Sequence, residues 1–518
     1  MIQHAPRIMH SLRFTLQQHI LNITADQYAL SLAYFALAIF GSLTIAIIPL
    51  PTLIIGAIVS AILIGTLIEP GIGFIGALLI GPWAAWMNTY YPGLLPIDAG
   101  QILITLTLSA WLLRGLRQRN FTLHRSSILI PLLLYVGWAA SSMLWASDLS
   151  LAVPEVIKWI EIIVIMLFTI DLIQRLGIKW ILIGVMLTVA AQALIGIYEA
   201  RVRGVGPLGF QLSAGVYRAY GTFEQPNPFA GFIGLVLPIA VALTFYYVRR
   251  TLSSTPRSAH HALRIKHYAF LMIYALITLL LIAAIYLSFS RGAWLAAVAS
   301  IGIMIVFAPR RIWIGLGLVV ITIGLLIGLS SSGWLPDAIN QRFTDASELF
   351  QFRDVRGVSI NNVNYALIER QAHWQAALNM LTDQPWTGVG FANYAAAYEQ
   401  YRLINWPYAL GHAHNIYLNV AAETGVIGLA AYLVLWLSIF TVTFRTVQRA
   451  SGIDRALAIG LMGTWVYLSV HMLVDNLYVN NAHLLIGALF GLLAFLYSRT
   501  RSNLQFPGSN FHSLTSSL

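Results

Sequence analysis

The chain has 518 residues, 58% hydrophobic and 9% charged, with no cysteine and a formal net charge of +11; its mean hydropathy is +0.75. A soluble domain carries roughly 25% charged residues, so a water-soluble enzyme, a disulfide scaffold and a disordered regulator are excluded, as are thiol nucleophiles and Cys-ligated metals. The basic excess calls for no nucleic-acid partner, because membrane proteins concentrate Lys and Arg in cytoplasmic loops; the expected partner is the lipid bilayer.

Residues 1–27 are mostly polar and show no small-residue cleavage site, so they are expected to be a cytoplasmic N-terminal segment and not a secretory signal. Apolar stretches then recur near the roughly 20 residues that carry a helix across a bilayer. They fall at 28–48, 52–68, 72–88, 99–115, 127–145, 156–173, 179–199, 228–248, 268–289, 293–308, 312–331, 414–440, 456–473 and 482–497. The expected fold is an all-α integral membrane protein of about fourteen transmembrane helices. These group into an N-terminal transmembrane bundle (28–199), a transmembrane core with outer arginine segments (200–331), a large outer loop (332–413), C-terminal transmembrane helices (414–497) and a cytoplasmic tail (498–518). With the N-terminus inside, 20 of the 30 Lys and Arg residues fall on the inner side, against 4 of the 19 acidic residues. That satisfies the positive-inside rule along the chain and puts both termini in the cytoplasm.

Two outer segments depart from the short connections elsewhere. Residues 200–227 hold Arg201, Arg203 and Arg218 among glycines, and 332–413 is the longest polar stretch; long ordered loops usually carry function. In the second, Leu367, Trp374, Leu378 and Leu381 recur at helical spacing with Glu369, Arg370, His373 and Asp383 between them. This predicts an amphipathic helix over 364–382, on the outer membrane surface or over the bundle. Arg291 lies between two spans with almost no loop, and Arg218 just ahead of the span at 228–248. Each reads as an interfacial or solvated arginine, Arg218 then pairing with Glu224, or as an anion ligand whose rigid fork of donors suits phosphate oxygens.

His412, His414 and Asn415 stand where the large loop meets the span at 414–440. They read as a cap or hydrogen-bonded structural group, as a general base near neutrality, or as part of a zinc site with no further ligands identifiable. Gly425 and Gly428 are expected to let helices approach closely. His471 and Asp475 are expected to share one helix face at the outer end of the span 456–473, and Lys158 and Glu161, three apart, to neutralise each other. No glycine loop ending in Gly-Lys-Ser/Thr supports an ATP-driven pump. The early outer loops lack a closely spaced acidic pair, Asp98 being their first carboxylate.

Taken together, these residues resemble the O-antigen ligase and polymerase superfamily of membrane glycosyltransferases. The most specific feature is histidine, asparagine, nine residues, then Gly-x-x-Gly, met by His414, Asn415, Gly425 and Gly428. Arg291 and Leu295 meet an Arg-x-x-x-Leu signature, and the stretch from Arg218 to Asn227 has the form Arg-x-x-Gly-Thr-Phe followed by Pro-Asn. The segment with Trp374, Asp383, Pro385, Gly388, Gly390 and Tyr394 is similar to the family's external domain. The resemblance covers about 200–497.

It implies a GT-C-like architecture and an inverting, metal-independent transfer without cofactor. A glycan would move from a polyprenyl-pyrophosphate-linked donor to a lipid or glycan acceptor on the outer face of the bacterial cytoplasmic membrane, in cell-surface polysaccharide biosynthesis. His414 is then the general base and Arg218 and Arg291 bind the pyrophosphate. Asn415, His412, Glu423, His471 and Asp475 are supporting candidates, and no metal ligand is assigned. The alternative is a polytopic solute transporter of the inorganic-carbon type. That class needs ionisable groups near the bilayer midplane and interrupted helices, whereas the distinctive groups here cluster at one surface.

Overall fold

A segment that crosses hydrocarbon has no water to satisfy its backbone, so each long apolar stretch closes its own hydrogen bonds as a helix. The computed structural model describes residues 32, 49–95, 97–119, 126–253, 261–332, 353–361 and 364–505; residues 1–68 and 69–518 are separate compact units. In the first unit, α1 (Leu50–Ile68) contains no charged residue.

The second unit opens with α2 (Pro70–Ile80), a 3-10 turn (Gly81–Trp83) and α3 (Ala84–Tyr90), followed by α4 (Ala99–Gln118), α5 (Leu129–Ser141), α6 (Leu149–Leu176) and α7 (Ile178–Arg201). A small antiparallel hairpin, β1 (Gln211–Ser213) and β2 (Val216–Tyr217), precedes α8 (Pro226–Gly234) and α9 (Leu237–Leu252). Then come α10 (His261–Ser288), α11 (Arg291–Phe307), α12 (Ile312–Ser331), α13 (Tyr365–Asp383), α14 (Tyr394–Tyr401), α15 (Ile416–Arg449), α16 (Gly452–His471) and α17 (Ala482–Gln505).

Each expected span from 52–68 onward is helical, 72–88 as α2, the 3-10 turn and α3 and 228–248 as α8 and α9, while 28–48 lies, but for Leu32, outside the described residues. Among the described residues, eight helices are long and apolar enough to cross a membrane, by length and composition, against the fourteen spans expected from the sequence. The helices α1, α5, α11 and α12 offer shorter apolar runs. In α6, Glu155, Lys158, Glu161, Asp171 and Arg175 interrupt the apolar character.

α17 packs on α6, α16 on α9 and α11, and α15 on α5 and α16. Where α15, α16 and α17 meet, the rings of Trp436, Trp465 and Phe490 lie 5.4–6.3 Å apart. One end of the bundle is fastened by ions. Glu69 bridges Arg114 at 2.7 Å and Arg175 at 3.0 Å, and Arg455 donates to the carbonyls of Phe307, Ala308 and Pro309. The connections following α3, α5, α7, α10 and α16 gather at the opposite end, with α13 and α14. The helix expected over 364–382 is α13, and it packs against α15. Ile368, Gln371, Ala372 and Ala376 are buried, as is His373, which was expected on the polar face.

The glycine pair is also corrected. Gly425 is not a helix-packing position but a break in α15, at φ 67° and ψ −172°, a region open essentially to glycine alone. The break interrupts the helical ladder: Val426 N–H donates to the Pro385 carbonyl at 2.8 Å. The carbonyls of Ala422 and Glu423 instead accept from Val389 and Gly390, both at 2.9 Å. A Cβ on Gly425 would lie 2.2 Å from the Trp386 carbonyl, and one on Gly388 2.3 Å from the Glu423 carbonyl carbon. Backbone therefore meets backbone, and the 385–390 turn is threaded into the helix. Gly425→Ala is expected to destabilise the protein by roughly 2–4 kcal/mol, combining backbone strain with overpacking, measured as a lower thermal midpoint in detergent.

Candidate active site

Two arginine segments meet at the gathered end. Ser290 caps α11 by accepting from the Ala293 N–H at 3.4 Å. Arg291 is thus the first helical residue, where unpaired N–H groups and the helix dipole favour an anion. The Arg218 segment docks on the last turn of α10. Ala219 N–H donates to the Leu287 carbonyl at 2.8 Å, and Arg218 donates from Nε to the Ser288 carbonyl at 2.8 Å and from Nη2 to Asn227 Oδ1 at 3.3 Å. Arg218 is therefore anchored three residues before Arg291. Gly292 lets α11 close on the end of α16: a Cβ there would lie 2.6 Å from Val474 and 3.0 Å from His471. Arg370 of α13 reaches the same place, donating from Nε to the Val474 carbonyl at 3.3 Å.

The histidines lie on the other side of this turn. Asn415 is the N-cap of α15, its Oδ1 accepting from Tyr417 and Leu418 N–H at 3.0 and 3.1 Å. This leaves its side chain a structural cap. His414, just before the cap, is held at φ 52°, and its N–H donates to His412 Nδ1 at 3.0 Å. Asp475 Oδ1 lies 3.8 Å from His414 Nδ1 and 3.9 Å from His412 Nε2. The expected shared helix face of His471 and Asp475 is not formed: α16 ends at His471, and Asp475 follows in the turn beyond it. The His373 ring stands edge-on to His414 at 5.6 Å and stacks on Tyr398 at 4.8 Å, with Nδ1 2.9 Å from Tyr394 Oη. Both ring nitrogens of His414 are buried with no hydrogen-bond partner, as are His373 Nε2 and His471 Nδ1.

Charge in this cluster follows burial. Desolvation, then the neighbouring His414, lowers His412 from an ordinary 6.5 to about 4. Desolvation, with His414 and His412 beside it, lowers His373 to about 3. Burial alone would raise Asp475, but contact with His414 and the fields of His412 and His471 outweigh it and hold the carboxyl below its usual range. Both histidines resist protonation in the folded state and accept it once unfolded. Their contribution to stability is therefore complete above about pH 6.5 and shrinks as pH falls toward 4. The thermal midpoint is expected to drop over that window, before Asp475 is protonated, and less steeply in His373→Gln.

Glu423 sits two turns into α15, accepting from the Tyr394 N–H at 3.2 Å and lining a chamber that also meets His412. Lys158 pairs with Glu155 and not with Glu161, which instead bonds His483 Nε2 at 2.8 Å. Ligand atoms of His412, His414 and Asp475 lie within 4.8 Å of one another, a donor set that suits a divalent cation. Asp475 is the third candidate donor that the His-x-His spacing did not reveal. Arg370 and His373 were read as the polar face of an amphipathic helix. Their unusual density of ionisable groups in a helix otherwise buried by alanines was the available signal.

The fold and this site define a polytopic helical membrane protein that assembles arginines, histidines and a carboxylate at one end of its bundle. Residues 276–433 match the family model of the O-antigen ligase (Wzy_C), a stretch that holds Arg291, Arg370, His412, His414, Asn415 and Glu423. This match supports membership of the O-antigen ligase/polymerase superfamily, and the chain is a helical membrane protein whose residues 276–433 are similar to an O-antigen ligase domain. The family implies a glycosyltransferase- or ligase-type enzyme working on lipid-linked glycans in a membrane. Comparison with curated proteins gives no match.

Proposed function

We propose that the protein is an inverting glycosyltransferase, an O-antigen ligase or polymerase, that moves a glycan from a polyprenyl-pyrophosphate carrier to an acceptor hydroxyl. It does so in a GT-C-like bundle at the outer face of the bacterial cytoplasmic membrane, with both termini inside. The observation that carries this reading is His414: two buried, unpartnered ring nitrogens beside Asp475, joined to the arginine corner through the His471–Val474 turn. The basic residues fastened at the opposite end support the orientation.

In the reaction, His414 Nε2 takes the acceptor hydroxyl proton while Asp475 favours the other proton on Nδ1. The acceptor oxygen attacks the anomeric carbon from the face opposite the pyrophosphate. The bond from that carbon to the phosphate oxygen breaks, its electron pair leaves on the pyrophosphate, and configuration inverts. Arg218 and Arg291 stabilise the developing charge in place of a divalent cation.

The carrier chain has a matching surface. Beginning at Tyr286 and Trp294, whose rings stack at 5.4 Å beside Arg291, an almost wholly apolar groove of about 580 Å³ runs between α10, α11 and α12. A Cβ at Gly302 in this groove would meet nothing within 4 Å, so Gly302→Phe fits by narrowing it. The KM for a long-chain donor is expected to rise about tenfold, from the lost contact of roughly two methylenes, with a short-chain donor little affected.

The test of the function is turnover in nanodiscs with a polyprenyl-pyrophosphate oligosaccharide, with and without acceptors, under chelator. Carrier release with a transferred or lengthened glycan supports the reading and distinguishes ligase from polymerase. No turnover across a broad donor and acceptor panel by folded protein, with solute flux in its place, overturns it in favour of transport.

A further inference from the structure

Beside the arginine corner lies a second space whose chemistry is different. A chamber of about 890 Å³ opens between α3, α6, the turn at 223–228, the 391–395 segment and the first turns of α15. His412 forms part of one wall and Phe223–Gln225 part of another, so it touches both the histidine cluster and the segment that carries Arg218. Trp159 and Tyr478, with ring centroids 4.9 Å apart, line it together with the amides of Asn419 and Asn476. Aromatic faces alternating with amides and carboxylates suit the apolar C–H face and the hydroxyl edge of a sugar ring.

The charge of the lining narrows the ligand. Among the described residues its carboxylates are Glu155, Glu224 and Glu423, and its single ammonium is Lys158, already engaged by Glu155. With Glu155 and Lys158 neutralising each other, Glu224 and Glu423 leave the lining acidic, so a carboxylate or phosphate brought into the chamber meets like charge. The arginines that welcome anions lie outside this lining.

We propose that this chamber is the saccharide subsite and that it selects uncharged sugar residues over uronates and phosphorylated sugars. The proposal rests on the glycosyltransferase reading and adds the substrate class to it. Glu224 is then a specificity-determining residue that works by repulsion, and Glu155 one that works by occupying Lys158, the ammonium an anionic sugar would otherwise meet; the saccharide they admit belongs either to the donor glycan or to the acceptor.

The test is binding by saturation-transfer NMR and titration to the full chain in nanodiscs. The probes are a neutral hexose tetrasaccharide and the same tetrasaccharide with one hexose oxidised to the uronate. The neutral probe is expected to bind roughly tenfold or more tightly, a difference of about 1.4 kcal/mol. Glu155→Gln and, separately, Glu224→Gln are each expected to raise uronate affinity toward the neutral value. The separate variants guard against misfolding of either one. Displacement of the probe by glycan-bearing donor but not by bare polyprenyl pyrophosphate assigns the site to the donor sugar; its retention assigns the site to the acceptor. Equal binding of the two probes, preference for the uronate, binding of neither, or specificity unmoved in both folded variants overturns the proposal. Binding is expected to persist in His414→Ala, so a failed transfer reaction and a failed saccharide subsite are told apart.

Discussion

Replacing His414 with alanine is expected to slow glycan transfer roughly 10³-fold, the middle of the range contributed by a positioned general base, with donor affinity unchanged. The expectation follows from the site: the ring lies beside Asp475, its nitrogens bond nothing else, and Arg218 and Arg291 are carried by a different set of elements. The residue sits at φ 52°, where alanine carries a penalty of about 1–2 kcal/mol, so part of any loss could come from the backbone. His414→Asn separates the two effects, because asparagine tolerates this conformation and has no imidazole to take the proton. Both variants are expected to lose transfer alike in single-turnover assays, while their thermal midpoints differ.

Arg291→Lys is expected to lower kcat/KM roughly 10–100-fold although charge is conserved. Lysine presents a point charge where arginine offers a planar fork, and a lost charge-assisted hydrogen bond is worth about 1.5–3 kcal/mol. Arg291 stands first in α11 behind its Ser290 cap, a position where a helix N-terminus also favours an anion. The loss is expected mainly in donor KM, with a smaller fall in kcat as charge grows on the leaving group. Wild-type kinetics in this variant would make Arg291 an interfacial anchor.

The helices were legible because a bilayer-length apolar run has one way to satisfy its backbone. Their ends were less so. α6 begins at Leu149, several residues ahead of the expected 156, because Asp148 caps it through the Ser150 N–H at 2.8 Å, whereas Pro154, Glu155 and Lys158 obscure that first stretch in a hydropathy reading. The spacing of His414, Asn415, Gly425 and Gly428 singled out the corner where the histidines and Asp475 gather but not what each residue does there. Asn415 is a cap, and Gly425 breaks the helix so that the 385–390 turn can bond into it. Periodicity tells which face of a helix is apolar, not which neighbour it meets. Asp475 beside His412 and His414, Arg370 on the Val474 carbonyl, and Glu161 with His483 are pairings between segments 60 or more residues apart; they depend on the packing of whole helices. Lys158 and Glu155 are closer in sequence, but there two carboxylates at equal spacing competed for one ammonium.

The proposed mechanism divides the labour: arginines hold the pyrophosphate and His414 takes the acceptor proton, without a divalent cation. The most direct measurement is donor Kd and single-turnover transfer rate on the same nanodisc preparations of wild type, Arg291→Lys and His414→Ala, all in chelator. On this mechanism, full wild-type turnover in chelator, weakened donor binding in the arginine variant, and intact donor binding with transfer slowed roughly 10³-fold in the histidine variant are expected. Turnover that vanishes in chelator and returns with zinc would contradict it, making His412, His414 and Asp475 metal ligands; so would donor binding lost equally in both variants.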